Sequence, residues 1–229
     1  MLRATAGRID DALDALTDLP ALWHSWPHRP AWNIEDELTA RGFVFEEEEP
    51  LMTLRFPPAK NAQTDIGPAV APAPARAAAV AGKKAPHPLE SPLGPASIRL
   101  VDGEEALLAW EELWTGSASD PAVHAALAAA GLGTHRVAHH FVAEVDGSLV
   151  GCGAAVVARA TVAVEHIVTA ATHRRRGIGA QLTGAALAIG RDHGATTAIL
   201  TASPDGAALY HRLGFVDREP VRRFVAPGR

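Results

Sequence analysis

By the spacing of its apolar positions, the chain divides at a long proline-rich stretch into a short leading part and a longer following part. In the longer part, Ser97-Ile-Arg-Leu-Val predicts a strand. Leu107, Leu108, Trp110 and Trp114 then recur at helical spacing behind Asp102 and Glu105, whose separation is that of a capping box. A second helix is predicted from Asp120-Pro121 to Gly131, since proline suits the first helical position and glycine the stop. Phe141, Ala143 and Val145 alternate up to Asp146-Gly147, a two-residue hairpin signal; Leu149 to Ala158 return as the second strand, and a third runs over about 161–169. Ile178, Leu182, Ala185, Ala186 and Ile189 mark a helix that Gly194 stops. A short strand at 198–202 follows, then a helix capped by Ser203-Pro204 that ends near Leu213-Gly214, and closing strands between Phe215 and Val225. This order predicts an α/β (α+β) fold whose antiparallel front half switches to a crossover connection around the 178–189 helix.

Residues 59 to 96 hold Ala-Pro-Ala-Pro-Ala-Arg, Gly-Lys-Lys-Ala-Pro-His-Pro and Ser-Pro-Leu-Gly-Pro with few large apolar groups, and are expected to be a linker between two unequal parts, 1–58 and 97–229. Residues 1–58 predict a short helix with Ile9, Leu13 and Leu16, and then a region containing Trp23, Trp26 and Trp32. A helix that Asn33 can cap follows, with Glu35, Asp36 and Glu37 in its first turn, and strands are expected after Gly42-Phe43. Ala40-Arg-Gly-Phe-Val-Phe-Glu-Glu-Glu-Glu-Pro lies alongside Arg212-Leu-Gly-Phe-Val-Asp-Arg-Glu-Pro as an internal repeat of helix end, Gly-Phe and strand.

Composition narrows the picture. A chain of 229 residues with 48% hydrophobic content can bury a full domain core plus an appendage. A net charge of -5 and a pI near 6.1 give no global attraction to nucleic acid or an acidic membrane, so neither is expected as a partner. The single cysteine, Cys152, excludes an intramolecular disulfide and sits in a predicted strand interior. With no apolar signal core and no bilayer-length run, a cytoplasmic location is expected.

The chemistry concentrates in Thr172-His-Arg-Arg-Arg-Gly-Ile-Gly-Ala-Gln-Leu182, which joins three arginines to a glycine turn at a helix start. The first helical turn has N–H groups without intrahelical partners and a partial positive charge, so it favours an anion. Gly177 and Gly179 carry no Cβ and admit phosphate oxygens, while Arg174, Arg175 and Arg176 can add charge-assisted bonds of about 1.5–3 kcal/mol each. Cations here oppose the helix dipole by roughly 0.3–1 kcal/mol, a penalty that a bound anion reverses. No Gly-Lys-Ser/Thr follows, which excludes a P-loop, and the missing third glycine excludes a dinucleotide fingerprint. His139, His140, His173 and His211 lack metal-ligand spacing, and no metal is expected. No Ser-His-Asp or Cys-His arrangement is evident, so Cys152 is not expected to act as a nucleophile.

Two segments together resemble the GNAT acyltransferase superfamily. Arg174-x-x-Gly177-x-Gly179 is similar to its acyl-coenzyme A pyrophosphate motif, and Ser203-Pro-Asp-Gly-Ala-Ala-Leu-Tyr210-His-Arg-Leu-Gly-Phe215 to its late helix with a tyrosine before Leu-Gly-Phe. The resemblance covers about residues 97 to 225 and implies a mixed central sheet flanked by helices, with a small N-terminal helix/strand appendage. It also implies acetyl-coenzyme A (acetyl-CoA) as cosubstrate and direct transfer of an acetyl group to the amine of a small molecule or peptide. By the same resemblance, backbone groups of Ile167, Val168 and Thr169 bond the pantetheine arm, and Arg174, Arg175, Arg176, Gly177, Ile178, Gly179 and Ala180 hold the pyrophosphate. Ser203 stands where the family usually has asparagine and either contacts the coenzyme or only caps its helix. Tyr210, the only tyrosine, matches the proton donor to the departing thiolate. Glu165 matches a strand carboxylate used as general base, with His166 or water as the competing base; strict strand alternation lets at most one of the two side chains line the cleft. A non-catalytic coenzyme A-binding module is the alternative from another class, and a larger acyl donor also fits. Residues 1–58 resemble a degenerate half of a second such unit, whose open sheet edge and tryptophan-rich face are expected to be covered by the main domain or by a second subunit in a homodimer.

Overall fold

The computed structural model describes residues 22–25, 34–57 and 96–227. The leading segment supplies β1 (Leu22–Ser25), α1 (Ile34–Ala40), β2 (Val44–Glu49) and β3 (Leu51–Arg55). After the proline-rich stretch come β4 (Ser97–Leu100), α2 (Glu104–Thr115), α3 (Pro121–Gly131), β5 (Ala138–Val145), β6 (Ser148–Ala158) and β7 (Thr161–Thr169). A 3₁₀ turn at Ala171–His173 leads into α4 (Ile178–Asp192), followed by β8 (Thr197–Thr201), α5 (Pro204–Arg212), β9 (Val216–Asp217) and β10 (Val221–Val225).

Local chemistry explains most boundaries. The Asp120 side chain accepts from the N–H groups of Ala122 and Val123, with Pro121 in the first turn of α3. Asp146 and Gly147 both take positive φ, 49° and 75°, as the tight turn between β5 and β6 requires. One expectation is corrected: Asp102 does not cap α2. The N-cap is Gly103 in extended conformation with no side-chain hydrogen bond, and Glu104 and Glu105 instead set their negative charge in the first turn, against the positive end of the helix dipole. The predicted helix around Ile9, the Asn33 cap, Trp26, Trp32 and the linker up to residue 95 lie outside the described residues.

The main sheet runs β4-β5-β6-β7-β8-β3-β9, a mixed sheet flanked by helices. All its pairs are antiparallel except β7 with β8, the strands joined by the α4 crossover. On one side, Ile178, Leu182 and Ala186 of α4 share a core with Tyr210 and Phe215. On the other, Leu107 and Trp110 of α2 pack on Val142, Cys152 and Ala154. Gly190 sets the approach of α4 to the sheet, because a Cβ there would stand 2.4 Å from Val162 Cγ1. An alanine there is overpacked at a cost of about 1–3 kcal/mol.

The leading segment is not a free-standing appendage, because β3 lies inside the main sheet between β8 and β9. In return, the C-terminal β10 is the middle strand of a second sheet, β1-β10-β2. The internal repeat seen in sequence is therefore a repeat of structure. In each copy a helix ends at a left-handed glycine, Gly42 or Gly214 (φ 82° and 91°), and a phenylalanine and a strand follow. The next strand, after Pro50 or Pro220, crosses into the other copy's sheet. Proline has no N–H for a ladder, so each repeat breaks its strand where the chain must change sheets.

Candidate functional site

The site forms where β7 leaves β8. The two pair only from Thr161–Ala163 to Thr197–Ile199, so the outer edge of β7 beyond Ala163 has no strand beside it among the described residues. A bulge bends β7 at the same place. Cys152 pairs with Val168 and Ala154 with Glu165, so Gly153 faces both His166 and Ile167. His166 takes a φ of 55° to make that bulge. The Trp110 indole N–H donates to the Gly153 carbonyl at 2.9 Å and fastens α2 to the bend.

The bulge also removes the premise of strict alternation. Glu165 is in register with Ala154, which belongs to the core under α2, so it shares that side of the sheet. The His166 ring turns the same way, with its centroid 4.2 Å from Trp114 and 5.6 Å from Trp110. Burial drives their protonation in opposite senses: the Glu165 carboxyl is pushed up to about 7, with the negative charge of Glu49 adding to the effect, and His166 is pushed down to about 4. Tyr210 is buried on α5, edge-on to Phe215 at 5.8 Å. Its phenol is raised by burial and then by the negative charge of Glu165.

At the far end of β7, Arg174 Nε donates to the Thr169 carbonyl at 3.4 Å. Arg175 and Gly177 both have positive φ, 63° and 81°, bracketing Arg176 in an alternating backbone of the kind that gathers N–H groups into a concave nest. Apart from its own chain neighbours, no atom of the described residues lies within 4 Å of a Cβ built on Gly177, so the nest is open on that side. The Gln181 N–H bonds the Gly177 carbonyl at 3.1 Å, which leaves those of Ile178, Gly179 and Ala180 as the orphan donors of the first turn of α4. Gly179 lets that turn sit against its surroundings, since a Cβ would stand 3.2 Å from Leu209 and 3.8 Å from the Thr169 hydroxyl. Arg174 and Arg175 are exposed, whereas the Ile178 side chain is buried in the core and presents only backbone to the nest.

Ile167, Val168 and Thr169 lie on the last turn of strand before this nest. Ser203 caps α5, its hydroxyl accepting from the Gly206 N–H at 3.2 Å. Cys152 is buried and its thiol is pushed up to about 12 by desolvation, unlike a reactive thiolate. Among the described residues, no group of three or more His, Cys, Asp or Glu is placed to hold a metal ion, and no helix is long and apolar enough to cross a membrane.

The comparisons concern the domain and its fold. A family model described as the acetyltransferase (GNAT) domain matches residues 136–217, the stretch from the start of β5 to β9. No curated protein matches the sequence. Among solved structures, a GCN5-related N-acetyltransferase from Kribbella flavida is similar with a TM-score of 0.58 at 20% identity, over 97% of this chain and 74% of that one. A GNAT-family protein from Novosphingobium aromaticivorans gives 0.53 at 17% identity, over 97% and 81%. At such identities the likeness is one of fold; residues 136–217 match the acetyltransferase (GNAT) domain, and the chain as a whole shares the fold of GNAT acetyltransferases.

Proposed function

We propose that the protein is an acetyl-CoA-dependent N-acetyltransferase that passes an acetyl group directly to the amine of a small molecule or peptide. The observation that carries this reading is the nest of first-turn amides that opens α4 at the end of β7, beside a strand edge that has no neighbour among the described residues. The nest from Arg174 to Ala180 fits a diphosphate: its arginines and first-turn N–H groups are donors, and Gly177 leaves the approach clear. Backbone groups of Ile167, Val168 and Thr169 fit an amide-bearing arm lying as an extra strand along β7. Acetyl-CoA supplies a thioester with a good leaving group.

Glu165 is the better base of the two candidates. A carboxyl near 7 is poised at neutral pH to take a proton from an ammonium, whereas a histidine near 4 holds one poorly. Tyr210, raised from its ordinary value, keeps its proton at neutral pH and can donate it to the departing sulfur. Ser203 acts as the cap of α5 and so holds the helix that carries Tyr210.

In Tyr210→Phe, acetyl-CoA affinity measured by calorimetry should stay within about threefold, while turnover falls on the order of 10²-fold. Neutralising Arg174, Arg175 and Arg176 together should weaken binding first. Binding without thiol release on any of a panel of amines would instead make the protein a coenzyme A-binding module.

A further inference from the structure

Two imidazoles meet where the end of α4 packs on β5, at the opposite end of that helix from the nest. His139 is in register with Ala155, and both Ala155 and Phe141 belong to the core under α4, so the His139 side chain points to the same side of the sheet. Its ring meets that of His193, the residue that follows α4, with centroids 4.6 Å apart and planes tilted by 59°. The fold, not sequence spacing, brings the pair together. His193 Nδ1 lies 2.8 Å from the Ile189 carbonyl. A carbonyl only accepts, so Nδ1 carries the proton and the neutral ring keeps a lone pair on Nε2. His139 is 6% exposed, and its Nε2 is buried without a hydrogen-bond partner among the described residues. A buried polar atom left unpaired is destabilising, and a bound ion is one of the groups that accounts for it.

We propose that His139 and His193 are the two protein ligands of a site for one divalent transition-metal ion of the zinc, nickel or copper class, with water in the remaining positions. Imidazole nitrogen suits these ions. Two imidazoles bound to one ion at about 2.0–2.1 Å, at an angle between square and tetrahedral, have ring centres about 4.5–5 Å apart. The pair already stands at 4.6 Å, so forming the site takes a turn of rings and not a shift of β5 or α4. His193 is exposed and is the ring free to turn. The Ile189 carbonyl behind its Nδ1 is the kind of outer partner that orients a ligating histidine. Burial pushes His139 down to about 4, with positive charge at His193, Arg136 and His140 adding to the effect, so its ring is neutral and able to ligate at pH 7. The charge of Arg136 works against a cation, and no third His, Cys, Asp or Glu among the described residues joins the pair. The affinity is therefore modest. Once bound, the ion fastens the C-terminal end of α4 to β5.

The test is a titration of the full chain at pH 7 with Cu²⁺ alone and with Zn²⁺ alone, and none of its readouts depends on acetyl transfer. Only the native state holds the two rings together, so either ion should raise the melting temperature. The electron paramagnetic resonance spectrum of the first Cu²⁺ bound should show coupling to two imidazole nitrogens. Zn²⁺ should shift the ring ¹⁵N resonances of both His139 and His193, which reports on the buried ligand without replacing it. His193→Gln, at an exposed helix end, should melt as the metal-free parent does, weaken Cu²⁺ binding by about tenfold or more, and lose the two-nitrogen spectrum. The other histidines of the chain supply the background. Binding that His193→Gln leaves unchanged, coupling to one nitrogen only, or unmoved His139 resonances at saturating Zn²⁺ overturns the proposal.

Discussion

Glu165 is an unfavourable residue for the fold, and the proposed function gives it a use. Its carboxyl is raised from 4.5 to about 7 in the folded chain, chiefly by burial, so the folded state holds this proton more tightly than the unfolded state. Stability therefore declines as pH rises from about 4.5 to 7 and is level above, by up to about 3 kcal/mol for a shift of that size. Glu165→Gln removes the charge and hence the decline. The variant should be more stable than the parent by roughly 1–3 kcal/mol at pH 8, with the gain shrinking toward pH 5, while acetyl transfer is lost. Urea unfolding at the two pH values checks it, and a destabilised variant at pH 8 would show that Glu165 has a structural partner.

At the scale of elements, α2, which Trp110 fastens to the bulge, is tied in turn to α3. His124 of α3 places Nδ1 2.7 Å from the buried Glu111 of α2 and Nε2 2.6 Å from Glu104, while Ser119 donates to Glu111. The two carboxylate hydrogen bonds raise the His124 pKa above 6.5. A histidine raised on folding stabilises fully below its unfolded value, and this contribution disappears as pH climbs through the folded one. The stability difference between parent and His124→Gln should thus be largest at pH 6 and shrink above it, read as urea midpoints; a difference that grows with pH would contradict the latch. These elements were legible in sequence because their signals are local: Asp120-Pro121, Asp146-Gly147, Gly194 and Ser203-Pro204 each mark a boundary by the chemistry of one or two residues. The nest was legible for the same reason. The bulge was not, since nothing about His166 or Ile167 announces an extra residue. It arises from the close approach at Gly153, where a Cβ would stand within 3 Å of both Phe141 and Ile167, and from the capture of the Gly153 carbonyl by Trp110.

At the scale of the whole molecule, the exchange of β3 and β10 makes one unit of two stretches separated by the proline-rich segment. The pattern Leu51-Met52-Thr53-Leu54 reads as a strand, but strand periodicity does not name a partner, and pairing with β8 is set by contacts well over a hundred residues distant in sequence. Met52 is fully buried in the main core, in register with Leu200. Without β3, strand β8 keeps only its short parallel pairing with β7, and β9 loses the strand it pairs with. The leading half-unit thus completes the main sheet, which is a stronger role than covering a surface. A chain beginning at residue 59 should lack a cooperative thermal transition and bind ANS as a loosely packed state, with residues 1–58 supplied as a separate polypeptide restoring both the transition and acetyl-CoA binding. Loop-closure entropy makes the rejoined pair weaker than the intact chain, so the restored melting temperature should rise with peptide concentration. A 59–229 fragment that melts cooperatively and binds acetyl-CoA by itself would show instead that β8 and β9 can pair with each other, with the exchange a feature of assembly and not a condition of folding.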